Sequence, residues 1–166
     1  MTLLFIALFY SIASFSQTIY HSRKYQYAIE VPKTFTVKNS VTGSNVDFSA
    51  IDHNGSSIVI VVRYCPYGEE ILNDFAQMSN EETAQMLNEN LHNVKIIKQG
   101  LSYLGKNRTH FLRYTHTSTI GDDILYAISY SVVKNGYIFV ISATSQLNHI
   151  ESYEAVFFRT IQSFTF

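Results

Sequence analysis

The feature that most constrains the fold is an Asn-Gly pair, Asn135-Gly136, between two apolar runs, Ile124 to Val133 and Tyr137 to Ser145. Asn and Gly both tolerate the positive φ angles of a type I′ turn, so the pair is a strong signal for a β-hairpin with a short loop. Such a loop also fixes the register, because Lys134 must then face Tyr137. The pairs that follow are Val132 with Phe139, Tyr130 with Ile141, and Ile128 with Ala143.

The two faces of this hairpin differ in size and polarity. The face just described is large and apolar, whereas the other face is small and half polar. The residues of the small face are Ala127, Ser129, Ser131, Val140, Ser142 and Thr144. The C-terminal segment carries an apolar stripe at helical steps of three and four. That stripe consists of Ile150, Tyr153, Phe157, Ile161 and Phe164. We therefore expect a structural C-terminal helix on the large face.

Further strands are predicted nearer the N-terminus. Asn54-Gly55 joins Val46 to Ile51 with Ser57 to Tyr64, which predicts a second hairpin. The second arm of this hairpin is apolar on both faces, as in a central strand that is covered on both sides. Gln26 to Val31 alternates and ends at a proline, which is typical of a short edge strand. Phe35 to Lys38 is expected to continue that strand after a turn.

The middle of the chain changes to helical spacing. Ser79 and Glu82 have the spacing of a capping box, and apolar residues then recur at helical steps. A short helical turn around Ile71, Leu72 and Phe75 should precede this helix. The strands expected after it are Val94 to Leu104 and Arg108 to Thr115.

The order of elements is therefore strands, helix, four strands and a C-terminal helix. Antiparallel pairs joined by short turns, with helices to cover them, define an α+β fold. We predict a mainly antiparallel sheet of about six or more strands covered by helices, in a single domain over residues 18–166.

Residues 1–17 differ from the rest of the chain. Thr2 to Phe15 carries no charge, and small residues accumulate near its end. This layout predicts a cleavable signal peptide, and an uncleaved N-terminal anchor is the alternative. Cys65 is the single cysteine and lies far from the cleavage region, so there is no lipobox cysteine. We expect a secreted or periplasmic protein without stable membrane insertion after cleavage.

The charge distribution excludes one class of partner. Net charge is −1, and no run of basic residues is longer than Arg23-Lys24. Nucleic-acid binding normally needs a basic stripe or patch that neutralises phosphates. We therefore predict no nucleic-acid partner.

His110 and His116 lie on one predicted strand, with Arg113 between them. The two histidines share a face about 20 Å apart, and Arg113 points to the other face. One metal cannot bind both, because zinc–nitrogen bonds are about 2.0–2.1 Å long. A regular hairpin would bring His116 near Asp122 or Asp123. The sequence has no metal-ligand spacing, nucleophile elbow or cysteine–histidine pair, so we predict no metal, no cofactor and no catalytic residue.

Arg63 and Arg113 are the candidate binding residues, since each falls inside an otherwise apolar strand. A buried charge is strongly disfavoured unless it is paired, so each arginine should meet a carboxylate or reach solvent. Asp47, on the strand next to Arg63, is a candidate partner. Two interpretations stay open: a paired or solvated structural arginine, and an arginine that faces an anion pocket or a partner surface.

Several landmarks of the chain together resemble the PsbP-like superfamily, which includes PsbP, the Ran-binding nuclear import factors and bacterial envelope proteins. They are Tyr25 to Pro32 followed by Phe35, the mid-chain helix, the hairpin Ile124 to Ser145 and the closing segment Phe158 to Phe164. The resemblance implies an antiparallel sheet between helices and a binding or assembly role without catalysis.

We therefore expect a non-catalytic secreted or cell-envelope binding or accessory protein, whose partner is a protein or a small ligand. The first alternative is a small hydrolase-type enzyme with a site that the sequence does not reveal. The second is a structural subunit of an envelope complex, which would dock through Tyr20, Tyr25 and Tyr27.

Overall fold

The computed structural model of the chain describes residues 18–38 and 45–166. The signal peptide predicted over residues 1–17 lies outside the described residues. Within the described part, no helix is both long enough and apolar enough to cross a membrane.

The described residues form an α+β fold, as predicted. The strands are β1 (Thr18–Ser22), β2 (Tyr27–Val31), β3 (Thr36–Lys38), β4 (Val46–Ile51), β5 (Ser57–Tyr64), β6 (His92–Leu104), β7 (Asn107–Thr117), β8 (Ile124–Lys134) and β9 (Tyr137–Gln146). The helices are α1 (Gly68–Gln77), α2 (Asn80–Asn88) and α3 (Ile150–Gln162). Seven strands form an antiparallel main sheet in the order β3-β4-β5-β9-β8-β7-β6, and β1 pairs with β2 in a separate sheet.

The central hairpin has the predicted register. Lys134 lies opposite Tyr137, and Ile128 lies opposite Ala143. Asn135 and Gly136 adopt φ angles of 50° and 75°, which are the left-handed values that a type I′ turn requires. The hairpin occupies the middle of the main sheet, because β9 also pairs with β5 and β8 also pairs with β7.

Helix α3 packs on the large face of this hairpin, as predicted. Phe157 and Ile161 are fully buried there, and Phe164 is buried just after the helix. Burying one such side chain contributes about 1.5–3 kcal/mol. The two-stranded sheet closes the same side, since Ala28 and Thr165 exchange two backbone hydrogen bonds of 2.8 and 3.0 Å. The main core therefore lies between the main sheet and the layer formed by α3 and β2.

Helices α1 and α2 lie over the opposite face of the main sheet. The predicted capping box begins α2: Ser79 Oγ accepts from the Glu82 N–H at 3.2 Å, and the Glu82 carboxylate accepts from the Ser79 N–H at 2.7 Å. The element before it is a full helix of 10 residues rather than a short turn. It approaches the sheet closely at Gly68, where a Cβ atom would lie 2.7 Å from Val133 Cγ2.

Two strand predictions need correction. Strand β3 does not continue β2; it joins the edge of the main sheet beside β4, while β2 pairs with β1. Strand β5 is central, but only one of its faces is fully covered. Ile58 and Ile60 are buried, whereas Val59 and Val61 are half-buried. The reason is that α1 and α2 lie over β6, β7 and β8 and leave the outer face of β5 partly open.

Candidate binding site

A cavity of about 310 Å³ lies between the outer face of the main sheet and helices α1 and α2. Its floor is the small face of the β8–β9 hairpin, with Ser129, Ser131, Val140 and Ser142 among the lining residues. These short side chains do not fill the space beneath the two helices. The cavity therefore follows from the alternation of large and small residues along the hairpin.

The floor of the cavity contains a pair of hydrogen-bonded hydroxyls. Ser129 and Ser142 lie opposite each other in the sheet, and their Oγ atoms are 2.6 Å apart. Tyr114 of β7 lines the cavity beside them. Burial raises the pKa of the Tyr114 phenol, and a hydrogen bond with Ser129 offsets part of this effect. The floor is thus polar but uncharged at neutral pH.

His110 of β7 also lines the cavity and is 5% exposed. Its ring lies 5.8 Å from the ring of Phe75 between centroids. Burial lowers the pKa of the imidazole, which favours the neutral form. Within the described part of the chain, His110 Nε2 has no hydrogen-bond partner. This unpaired atom is itself shielded from solvent, so it does not open into the cavity.

The roof of the cavity is apolar. Phe75 of α1 and Met86 and Leu87 of α2 line it, and each of them is half-buried. Leu112 of β7 continues this apolar lining onto the sheet. Most of the wall can therefore accept an apolar ligand surface.

Polar contacts tie the roof to the sheet. The Gln99 side chain of β6 donates to the Met78 carbonyl at 3.1 Å and accepts from the Thr83 hydroxyl at 2.9 Å. The Arg108 guanidinium of β7 donates to Asn73 Oδ1 of α1 at 2.6 Å. The helices are thus held at their edges by hydrogen bonds, and the space between these contacts stays open.

Arg63, one of the two predicted binding residues, lines this cavity at the end of β5. Its side chain is exposed, and it also lines a neighbouring, more open cavity of about 410 Å³ that contains Cys65 and Ile71. Among the described residues it forms no salt bridge. Arg63 therefore reaches solvent, which was one of the two predicted outcomes.

The predicted pairing of Arg63 with Asp47 is wrong. The Asp47 carboxylate instead accepts a hydrogen bond of 2.8 Å from the Tyr27 hydroxyl of the two-stranded sheet. The reason is a register shift between Val46 and Phe48, which interrupts the alternation of faces along β4.

The tyrosines near the N-terminus do not form the exposed docking patch of the structural-subunit alternative. Tyr27 is 2% exposed, and Tyr20 and Tyr25 are half-buried against the main core. The Tyr20 and Phe48 ring centroids are 4.7 Å apart. These aromatic rings are therefore part of the packing between the two sheets.

Arg113, the other predicted binding residue, lies on the opposite face of the main sheet. Its Nη1 atom is 2.9 Å from Glu154 Oε1 of α3, and the Tyr126 hydroxyl also donates to that oxygen at 3.4 Å. Arg113 thus links β7 to α3 and does not line the cavity. The structure does not bring Arg63 and Arg113 together.

The remaining predicted polar residues do not form a metal site in the described part of the chain, where no group of three or more potential ligands occurs. His116 Nδ1 lies 3.0 Å from the Thr117 carbonyl oxygen. Asp123, an expected neighbour of His116, accepts from Gln146 at 2.8 Å. Cys65 is a half-buried free thiol directly after β5.

His110 was predicted to lie on the same strand face as His116 but not to belong to a binding site. The signal that could have found the site is the small, half-polar face of the hairpin. Ser129, Ser131 and Ser142 leave room there, and β7 pairs with β8 so that His110 lies opposite Ser131. A buried face of small polar residues beneath a helix indicates a cavity more directly than any motif in this chain.

Comparisons with known proteins identify the fold and nothing more specific. No protein-family model matches the chain, and no curated protein matches it in sequence. Cyanobacterial PsbP (CyanoP) from Synechocystis sp. PCC 6803 superposes with a TM-score of 0.65 at 12% identity, over 93% of this chain and 95% of that chain. LpqN, involved in cell envelope biogenesis of Mycobacterium tuberculosis, superposes with a TM-score of 0.60 at 9% identity, over 90% of this chain and 89% of that chain. A mutant of the protein Mog1 superposes with a TM-score of 0.53 at 10% identity, over 90% of this chain and 95% of that chain.

These matches place the chain among α+β proteins in which helices cover an antiparallel sheet. More particularly, its fold is PsbP-like, as the sequence resemblance predicted. A shared fold does not assign a ligand, so the function must be argued from the cavity.

Proposed function

We propose that the protein is a non-catalytic binding or accessory module, which holds a small ligand in the cavity between the main sheet and helices α1 and α2. The observation that carries this proposal is a cavity of about 310 Å³ between the main sheet and the two helices, with an apolar roof and a floor of paired hydroxyls. Small-molecule sites are typically concave and mostly apolar, with a few polar groups in their lining. The position of the cavity beneath two helices favours a small ligand over a flat protein surface.

The arrangement of polar groups favours binding over hydrolysis. A serine nucleophile needs a base within hydrogen-bond reach. The Ser129 hydroxyl is instead paired with Ser142 at 2.6 Å, and His110 Nε2 has no hydrogen-bond partner among the described residues. A hydrolase-type enzyme is the second candidate, because serines and a histidine line the same cavity.

We also propose a secreted or periplasmic location. Support comes from the composition of residues 1–17 and from the structural likeness to LpqN, a protein involved in cell envelope biogenesis. The expected result is that alkaline phosphatase fused to the C-terminus of the full chain is active, since that reporter folds only outside the cytoplasm. An inactive fusion that accumulates in the cytoplasm would contradict this location.

The binding proposal is tested with the neutral fluorescent probe 1-naphthylamine, whose size of about eleven non-hydrogen atoms matches the cavity. We expect saturable binding to the purified protein at one site. Ser142→Leu should abolish it, because the larger side chain occupies the cavity. Thr144→Leu is the matched control, since Thr144 lies on the same face of β9 but does not line the cavity.

Equal probe binding by the wild type and Ser142→Leu would overturn the cavity as the site, provided that circular dichroism shows both proteins folded. Hydrolysis of p-nitrophenyl butyrate that disappears in both Ser129→Ala and His110→Phe would overturn the non-catalytic role. That result would support the hydrolase-type enzyme instead.

A further inference from the structure

Strand β6 forms one edge of the main sheet and pairs, within the described part of the chain, with β7 alone. We propose that this edge binds a partner protein by strand addition, and that the added segment of the partner alternates acidic with apolar residues. This interaction surface is separate from the cavity, whose sheet residues belong to β5, β7, β8 and β9.

The backbone of β6 has the length and regularity that strand addition requires. An edge strand presents a row of N–H and C=O groups that have no partner within its own sheet. Strand β6 has 13 residues, whereas β3, at the opposite edge, has three. The shifts in its pairing lie between His92 and Lys95 and between Ile96 and Lys98. From Lys98 to Leu104 it pairs residue by residue with β7, and this regular half can pair in the same way with an added strand.

On the side of the sheet that faces α1 and α2, the second half of β6 exposes apolar side chains. Helix α2 covers the first half, where it packs on Val94. Beyond this contact, Leu101 is 45% exposed and Tyr103 is 63% exposed. Both lie on the helix side, because Leu101 is opposite His110 and Tyr103 follows two residues later. Cross-strand contacts with Leu101 and Tyr103 favour apolar residues on this face of an added strand.

On the other side of the sheet, β6 presents positive charge. Lys98 lies opposite Arg113, whose side chain points to α3, and Lys95 lies on the same face. Among the described residues neither lysine forms a salt bridge, and the Glu154 carboxylate of α3 pairs with Arg113. Cross-strand contacts on this face therefore favour acidic residues in an added strand.

The charge of the whole edge favours an acidic partner over a second copy of this chain. No acidic residue occurs in β6, β7 or the turn between them, although the net charge of the chain is −1. The basic residues of this segment are Lys95, Lys98, Lys106, Arg108 and Arg113. A second copy of β6 would add only positive charge, and lysines on edge strands oppose such self-pairing. Alternating acidic and apolar residues match both faces of β6 at once, because side chains alternate along a strand.

The test measures binding of the fluorescein-labelled peptide Glu-Val-Glu-Ile-Glu-Val-Glu to the purified protein by fluorescence anisotropy. We expect saturable binding that weakens with salt and is about tenfold tighter at low salt than that of Lys-Val-Lys-Ile-Lys-Val-Lys. The peptide Glu-Glu-Glu-Glu-Val-Ile-Val keeps the charge without the alternation and should bind about fivefold more weakly. Equal binding of the acidic and basic peptides would overturn the acidic partner, and equal binding of the two acidic peptides would overturn the alternating pattern.

Backbone pairing is tested with two N-methylated forms of the alternating acidic peptide. Consecutive N–H groups of a strand point to opposite edges, so methylation of the isoleucine nitrogen and methylation of the next glutamate nitrogen block different edges. One of these two peptides should lose binding, and the other should keep it. Any other result would overturn strand addition.

Variants of the protein locate the interaction at β6. Lys98→Glu should weaken binding of the alternating acidic peptide about tenfold. The control Lys38→Glu makes the same charge change at an exposed lysine of β3, on the opposite edge, and should leave binding unchanged. Tyr103→Thr should weaken binding about threefold, whereas the control Tyr64→Thr changes an exposed tyrosine of β5 and should not. Equal effects of a variant and its control would overturn the location, provided that circular dichroism shows the proteins folded.

Hydrogen–deuterium exchange distinguishes the possible occupants. Saturation with the alternating acidic peptide should slow exchange between Lys98 and Leu104 by about tenfold or more and leave β3 unchanged. A dimer by sedimentation in which these amides are already protected without peptide would place a second copy at the edge and overturn the acidic partner. Peptide binding that disappears in Ser142→Leu would place the peptide in the cavity and overturn strand addition. Absence of saturable peptide binding would overturn this inference and leave the proposed small-ligand site intact.

Discussion

The two faces of the main sheet are built by the same strands but are filled differently. On the α3 face, Phe157 and Ile161 are fully buried against the large residues of β8 and β9. On the opposite face, Phe75 is half-buried, and Thr83 is the one buried residue of α2, whose residues are all described. The difference follows from the alternation of large and small residues along one hairpin. The α3 face has the larger core, whereas the opposite face combines a smaller core with the cavity.

The same substitution on the two faces gives the largest expected contrast. Phe157→Ala should lower the free energy of unfolding by about 3–5 kcal/mol, because it leaves a cavity in a filled core. Phe75→Ala should cost at most about half as much, because its ring is already partly exposed beside a cavity. Urea denaturation measures both. Equal losses would contradict the difference in packing between the faces, and the matched pair Phe157→Leu and Phe75→Leu replaces the alanine pair if Phe157→Ala does not fold.

The second effect concerns Gly68, where α1 packs closely on the sheet. Gly68→Ala should destabilise the protein by about 1–3 kcal/mol, because the new Cβ would lie 2.7 and 2.9 Å from the two Cγ atoms of Val133. Val133→Ala in the same protein removes both methyl groups and should restore most of the loss. A double-mutant cycle of unfolding free energies measures this coupling. Simple additivity of the two losses would show that the clash is not the cause.

Much of the fold could be predicted because local chemistry decides it. The backbone freedom of Asn135-Gly136 fixes the central register, and the Ser79 cap fixes the start of α2. Strand β1 was not predicted, since the turn that joins it to β2 has its positive φ angle at Gln26 rather than at Gly or Asn. Alternation also failed at Asp47, where a register shift in β4 changes the direction of the side chain.

The candidate site could be predicted only in part. The small face of the hairpin and Arg63 are visible in the sequence, and both line the cavity. Nothing local indicates that α1 and α2 cover that face, or that His110 lies beneath Phe75. Like Arg63, Arg113 falls inside an otherwise apolar strand, but the Glu154 carboxylate of α3 pairs with it. Which of two internal arginines meets a carboxylate depends on helix placement, and the strand sequence does not contain that information.

Arg113 provides the third test of the comparison between the faces. Arg113→Gln and Glu154→Gln should each lower the free energy of unfolding by about 0–1 kcal/mol, since the two side chains are 30% and 45% exposed and solvent weakens their attraction. A double-mutant cycle at low and high salt measures the coupling, which should shrink at high salt. Both variants should bind 1-naphthylamine like the wild type. Loss of probe binding in Arg113→Gln would return Arg113 to the set of binding residues.

The smallest expected effect is a pH dependence of stability that arises from His110, on the cavity face. Burial lowers the pKa of folded His110 below its ordinary value of 6.5, so the unfolded chain binds the proton more readily. The contribution of His110 to stability is therefore fully present above that value and is lost as pH falls toward the folded pKa. Arg63 and Tyr114 also line the cavity, but guanidinium and phenol groups titrate well above this range.

His110→Phe should therefore show a smaller fall in melting temperature than the wild type between about pH 7.5 and about pH 5.5, a window that spans the ordinary histidine pKa. Ser131→Ala is the control, because it changes the cavity lining without removing a titratable group. Phe157→Ala, on the other face, should lower the melting temperature by a similar amount at both pH values. A wild-type pH dependence that persists in His110→Phe would show that another group causes it, and the cavity face would then differ from the α3 face in packing but not in its response to protons.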